Sequence, residues 1–152
     1  MAFRLTSALI LFGALIAWSV GATWFDFASL PLPVWLRWLG APVSLLGLAG
    51  LLEVHRTLGR NFSGTLHLLA DHQLVVAGPY RYVRHPMYTT FYLILIGIAL
   101  LSANWLIGGG VLLGLTLVML TRVKHEEQVM TSRFGQAYIH YMARTGRFLP
   151  RL

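Results

Sequence analysis

The chain divides into four apolar runs, Leu5 to Thr23, Val34 to Leu52, Met87 to Leu101 and Trp105 to Leu120, separated by polar segments. Apolar residues within each run are continuous rather than alternating, which excludes the strands of a membrane barrel and leaves helices. The first two runs have about the 20 residues that a hydrocarbon core of roughly 30 Å requires. The last two are shorter and are predicted to thin the bilayer locally or to extend into the interface. Only Ser102, Ala103 and Asn104 separate the third run from the fourth, so these two helices are predicted to form a tight antiparallel hairpin. Beyond the fourth run an amphipathic helix is predicted to continue to about Ser132 and to break at Phe134-Gly135. A short helix to about Arg144 follows, and the Phe148-Leu149-Pro150 end is predicted to return to the membrane surface. The expected fold is all-α, a single polytopic membrane domain over residues 1–152 with four transmembrane helices.

Composition agrees with that pattern. Hydrophobic residues make up 57% of the 152 positions and charged residues 11%, where a soluble domain carries roughly 25% charged. The net charge of +7 is not spread evenly. Eleven of the twelve Lys and Arg residues (Arg4, Arg56, Arg60, Arg81, Arg84, Arg122, Lys124, Arg133, Arg144, Arg147 and Arg151) fall on one side of the predicted membrane, and Arg37 alone on the other. The positive-inside rule then places both termini and the loop from Glu53 to Pro86 in the cytoplasm, with a bacterial inner membrane as the expected location. Because the basic residues flank apolar runs, topology accounts for them and no nucleic-acid partner is expected. Trp24, Trp35, Trp38 and Trp105 are expected at the outer interface.

The first run also resembles a signal peptide, since Arg4 precedes it and Val20-Gly21-Ala22 resembles a cleavage site. Its apolar stretch exceeds the 7–15 residues of a typical signal core, so a membrane span is the expectation. Gly13, Ala17 and Gly21 in the first run, and Gly110 and Gly114 in the fourth, recur at four-residue spacing. These are expected to be packing positions within one bundle, with a homodimer or a larger membrane complex as the alternative.

The absence of cysteine removes disulfides, thiolate metal sites and cysteine nucleophiles. The six histidines, His55, His67, His72, His85, His125 and His140, include no HxxxH or HxxHH pair, so no metal site is expected. Phosphate-binding loops, nucleophile elbows and dinucleotide fingerprints are absent as well. Two polar clusters bordering the membrane remain: Gly78-Pro79-Tyr80-Arg81-Tyr82-Val83-Arg84-His85-Pro86-Met87-Tyr88, and Arg122-Val-Lys-His-Glu126-Glu127. An aromatic and cationic anchor would explain the arginines and tyrosines of the first, but not its His-Pro. A surface ion pair would explain the second, although Arg before Glu is the weaker order on a helix. The hairpin brings both clusters to one membrane face, and ionisable residues at that depth are functional candidates.

GPYRYVRHPMY, followed by a helical hairpin, Arg-x-x-x-Glu-Glu, FGQAYIHY and a terminal Arg-Phe-Leu-Pro, resembles the isoprenylcysteine carboxyl methyltransferase family and its phospholipid-methyltransferase relatives over about His55 to Pro150. The resemblance implies an integral membrane enzyme. Its cytoplasmic loop and C-terminal helices would form a pocket for S-adenosylmethionine, and it would methylate a lipid-like or otherwise apolar acceptor among membrane lipids. By correspondence with the family, the cofactor-binding residues would be His72, Leu74, Val75, Tyr80, His85, Pro86, Met87, Tyr88, Glu126 and Glu127. The catalytic residues would be Arg122, which orients the acceptor, with Glu126 and Arg84. Where the family often has glycine two residues after the tyrosine, this chain has Thr90. The chemistry suits these residue types: a carboxylate for the cofactor's ammonium, tyrosine faces for its sulfonium, and an arginine for an anionic acceptor. A carboxylate acceptor needs only positioning, whereas an amine acceptor needs a base, for which Glu126 or Glu127 would serve. The alternative from a different class is a non-catalytic membrane subunit that keeps this fold.

Overall fold

The computed structural model describes residues 23–59 and 73–151. The predicted first span lies outside them except for Thr23, as do His67 and His72. Two turns of 3-10 helix, Thr23–Ala28 and Gly78–Arg81, accompany five α-helices: α1 Val34–Trp38, α2 Gly40–Leu58, α3 Pro86–Ser102, α4 Trp105–Phe134 and α5 Gln136–Arg144. No strand forms among the described residues beyond two isolated bridges, so the chain is helical, as its apolar runs predict. Two of its helical stretches, Val34–Leu58 and Trp105–Phe134, are long and apolar enough to cross a membrane. At 17 residues α3 is apolar but shorter, about 25 Å by helical rise.

The second predicted run is interrupted at Leu39, between α1 and α2. Pro42 is the cause: it has no N–H for the Trp38 carbonyl, and its ring crowds that carbonyl. Before α1 the sequence carries Pro31 and Pro33, and Pro33 is extended (φ −61°, ψ 145°) where α1 begins.

Backbone proximity holds the bundle together. Gly40, Ser44 and Gly47 line one face of α2 against Thr90, Ile94 and Gly97 of α3, and a Cβ at Gly47 or Gly97 would strike the backbone of the opposite helix. At that separation the Ser44 hydroxyl donates to the Ile94 carbonyl at 3.1 Å. Small residues bring the helices close enough for dispersion to act without a solvent-driven term. Thr90, where the family often has glycine, is accommodated by Gly47 and Gly50 on the facing helix. The expectation for the fourth run is not met: side chains added at Gly110 and Gly114 would enter open space, and the close-packed glycine of α4 is Gly108, against Ala99 of α3.

The α3–α4 hairpin forms as its three-residue connection predicts. Ala103 adopts a left-handed conformation (φ 45°) to end α3, and the Asn104 side chain caps α4 by accepting from the amides of Leu106 and Ile107 at 3.1 and 3.0 Å. Leu30 donates its amide to the Ala103 carbonyl, which ties the segment before α1 to this turn. On the same side Arg37 donates to the Leu101 carbonyl at 3.3 Å, a cation at a helix C-terminus. At the opposite end α4 runs past its apolar half to Phe134, and Gly135 (φ 53°) turns the chain into α5, the predicted break.

Candidate active site

The hairpin sets the start of α3 beside the polar half of α4. Pro86 occupies the first turn of α3, where a missing N–H costs nothing, and His85 precedes it as the N-cap residue with non-helical backbone angles (φ −123°, ψ 59°), its ring toward α4. Three residues later, Tyr88 shares the face of His85. On α4, Arg122 and Glu126 are one turn apart, and the Arg122 Nε donates to Glu126 Oε1 at 3.1 Å. Tyr88 donates its hydroxyl to the same oxygen at 3.2 Å. The His85 Nδ1 lies 3.7 Å from Glu126 Oε2, beyond hydrogen-bond reach. Arg122 and Glu126 are each about one-quarter exposed, so this end of the cluster faces an accessible surface.

Glu127 is placed differently. Its side chain is 10% exposed, and its carboxylate is enclosed by donors: Arg84 Nε on Oε1 at 3.1 Å, His85 Nε2 on Oε1 at 3.4 Å, and Arg147 on both oxygens, with Nε on Oε1 at 3.1 Å. Arg84 also donates to the carbonyls of Met142 and Thr145, which closes the C-terminus of α5. Arg84, expected as a catalytic residue, is thus engaged with Glu127 and the end of α5, and Glu127, expected as a cofactor contact, is paired with two guanidinium groups.

The C-terminal segment completes this arrangement. Val83 and Gly146 form a parallel bridge, the amides of Arg84 and His85 donate to the carbonyls of Gly146 and Arg147, and Thr89 donates to the Phe148 carbonyl at 2.7 Å. Phe148 therefore stacks toward His85, with ring centroids 5.9 Å apart, rather than turning wholly to the membrane, while Leu149 is 74% exposed. Tyr141 reaches back from α5 and donates to the Tyr80 carbonyl at 2.7 Å. Burial raises the pKa of the Tyr141 phenol to about 12, and that of Tyr80 further, so both remain protonated donors at neutral pH.

The remaining predicted residues are dispersed. Leu74 and Val75 are half-buried in a segment without regular secondary structure before Gly78, whose positive φ sets the backbone against Thr57 of α2. Pro86 is buried, and Met87 is half-buried with its carbonyl accepting from Thr90. Sequence reasoning assigned no role to Arg147, Phe148, Thr89 or Tyr141. The signal was present in the terminal Arg-Phe-Leu-Pro and in Tyr-x-x-Tyr, but nothing in a linear reading folds the tail back over α3. Among the described residues no group of three His, Asp or Glu side chains is disposed to hold a metal ion.

His85 confers a pH dependence. Burial lowers its pKa below the ordinary 6.5, against the pull of Glu126 and Glu127 and with Arg84 acting in the same direction as burial. The unfolded chain therefore binds a proton that the folded protein refuses, and stability rises with pH across that interval. The contribution is complete above 6.5 and is lost as pH falls from there toward the lower folded value. Thermal midpoints in detergent micelles are expected to fall between pH 7.5 and 5.5, and His85→Gln should flatten the decline. An equal slope in both proteins would remove His85 from the account.

Residues 40–132 match the model of the isoprenylcysteine carboxyl methyltransferase family, which covers more than half of the chain and includes α2, α3 and most of α4. A protein-S-isoprenylcysteine O-methyltransferase of Tribolium castaneum is 31% identical over 121 residues, covering 76% of this chain and 42% of that protein. The Cupriavidus metallidurans cobalt-zinc-cadmium resistance protein CzcN is 31% identical over 120 residues, covering 76% and 55%. The solved structure of a eukaryotic intramembrane Ras methyltransferase superposes with a TM-score of 0.77 at 26% identity, covering 97% of this chain and 52% of that one. The chain thus spans roughly half the length of the relatives it matches, and the part matched by the family model contains the hairpin, the His85–Tyr88 start of α3 and the Arg122–Glu126 pair. On these matches the chain belongs to the isoprenylcysteine carboxyl methyltransferase family.

Proposed function

We propose that this protein is an integral membrane methyltransferase that takes its methyl group from S-adenosylmethionine and delivers it to the carboxylate of a lipid-like acceptor, the prenyl-thioether class named for its relatives. The observation that carries this reading is the Arg122–Glu126–Tyr88 constellation beside His85, an anion and a cation held one helical turn apart at the polar end of an apolar hairpin. The residues fit the cofactor. Glu126 presents a partly exposed carboxylate whose Oε2 is beyond bonding distance of His85, suited to an ammonium, and the rings of Tyr88 and Tyr80 suit a sulfonium. When bound, S-adenosylmethionine supplies an electrophilic methyl group.

The protein's own residues then orient and enclose. Arg122 holds the acceptor carboxylate and leaves the attacking oxygen directed at the cofactor side, Glu126 secures the cofactor, and the rings of Tyr88, His85 and Phe148 exclude water. Arg84 and Glu127 position His85 rather than touch substrate. No proton transfer is required, because a carboxylate is already a nucleophile. Leu74, Val75, Pro86 and Met87 are assigned to the apolar wall of the cofactor pocket, and His72, outside the described residues, is assigned to cofactor binding by correspondence with the family alone. We further infer four spans, with Leu5 to Thr23 as the first and both termini on the cytoplasmic face, from the skewed placement of Lys and Arg. The intact constellation favours chemistry over a non-catalytic packing subunit. Calorimetric titration of the purified protein in micelles with S-adenosylmethionine should show saturable binding that Glu126→Gln weakens; no binding by folded protein would refute the reading.

A further inference from the structure

Glu127 and the ring of His85 together define a proton position. The Glu127 carboxylate takes Arg84 and Arg147 as partners, both permanently protonated donors, so it is ionised and can only accept. His85 Nε2, 3.4 Å from Oε1, must therefore carry the hydrogen of that contact. Burial favours the neutral ring, and a neutral imidazole with its hydrogen on Nε2 has a bare lone pair on Nδ1. That nitrogen lies 3.7 Å from Glu126 Oε2, beside the candidate site.

Which tautomer His85 adopts thus depends on how firmly Glu127 is held. Arg84 contacts only Oε1 and is otherwise committed to the carbonyls of Met142 and Thr145. Arg147 grips both oxygens and so fixes the plane of the carboxylate. We propose that Arg147, on the C-terminal segment, is a positioning residue that holds Glu127 so as to lock His85 as the Nε2–H tautomer, with its Nδ1 lone pair turned toward Glu126 and the methyl-transfer site. The charged and titratable groups facing the ring are Arg84 before α3, Tyr88 on α3, Glu126 and Glu127 on α4, and Arg147 on the tail, with Phe148 covering it. Arg147 is the only one of these on the tail, and its side chain is 46% exposed, so the chain tolerates its replacement better than that of Arg84, which is 11% exposed.

The test is nitrogen NMR of the full chain in detergent micelles, labelled with 15N-histidine, with the His85 ring assigned by its loss in His85→Asn. The wild-type ring should show a protonated Nε2 and a bare Nδ1. In Arg147→Gln, Glu127 keeps one guanidinium instead of two, so the ring should become a mixture of tautomers and its titration midpoint should move to higher pH. Arg147→Lys retains the charge without the two-point grip. It should keep the midpoint and lose the single tautomer, and it serves as the readout if the glutamine variant does not fold. A wild-type ring signature in a folded variant would overturn the proposal and reduce Arg147 to a tie for the tail. Turnover of Arg147→Gln, expected to fall up to roughly 10²-fold at unchanged acceptor KM, rests on the methyltransferase reading. The tautomer does not, so the two ideas fail separately.

Discussion

Arg122→Ala is expected to lower methyl-transfer turnover by roughly 10²-fold or more while leaving affinity for S-adenosylmethionine nearly intact, because the loss is one of acceptor alignment rather than of donor binding. The geometry separates the two members of the pair. Arg122 lies a turn nearer the apolar half of α4, where a lipid-borne carboxylate would arrive, and Glu126 lies nearer His85 and Tyr88. Glu126→Gln should accordingly weaken cofactor binding first, by roughly the 1.5–3 kcal/mol of a charge-assisted hydrogen bond. Steady-state kinetics with calorimetry distinguish these signatures. If both variants instead lose thermal stability together and retain cofactor affinity, the pair is an intrahelical ion pair without the proposed roles.

The largest effect on stability is expected at Glu127. Its replacement by alanine removes the shared acceptor of Arg84, His85 and Arg147 and leaves the largely buried Arg84 guanidinium without its counter-charge. Breaking a buried ion pair by deleting one partner costs about 3–5 kcal/mol. The more exposed Glu126, changed to alanine, should cost about 1 kcal/mol or less. Thermal unfolding of the two variants in the same micelles compares them directly. Equal and small losses would show that Glu127 does not organise the end of the bundle.

Much of this arrangement was legible in the sequence, because helices declare themselves by composition and period. The hairpin followed from a three-residue gap, the end of α4 from Gly135, and the meeting of the two polar clusters from the hairpin alone. What escaped is set by contacts between distant segments. The glycines that pack are those facing another backbone, and nothing local distinguishes Gly97, which packs, from Gly110, which does not. Likewise Glu126 and Glu127 are adjacent and chemically identical, yet a helical step of about 100° turns one toward Arg122 and the other toward Arg84 and Arg147. The sequence motif named both as cofactor ligands. Only the fold, by returning the tail over α3, gives Glu127 its second guanidinium and leaves Glu126 the more exposed of the two.

Methyl transfer to an apolar carboxylate by the constellation at the polar end of the hairpin is open to direct measurement. Incubating the purified full chain in micelles with methyl-labelled S-adenosylmethionine and an S-prenylated cysteine derivative measures this directly. Label is expected in the acceptor as a base-labile methyl ester, at a rate that Arg122→Ala reduces by roughly 10²-fold. Folded protein that binds S-adenosylmethionine yet esterifies this acceptor no faster than the Arg122→Ala variant would contradict it.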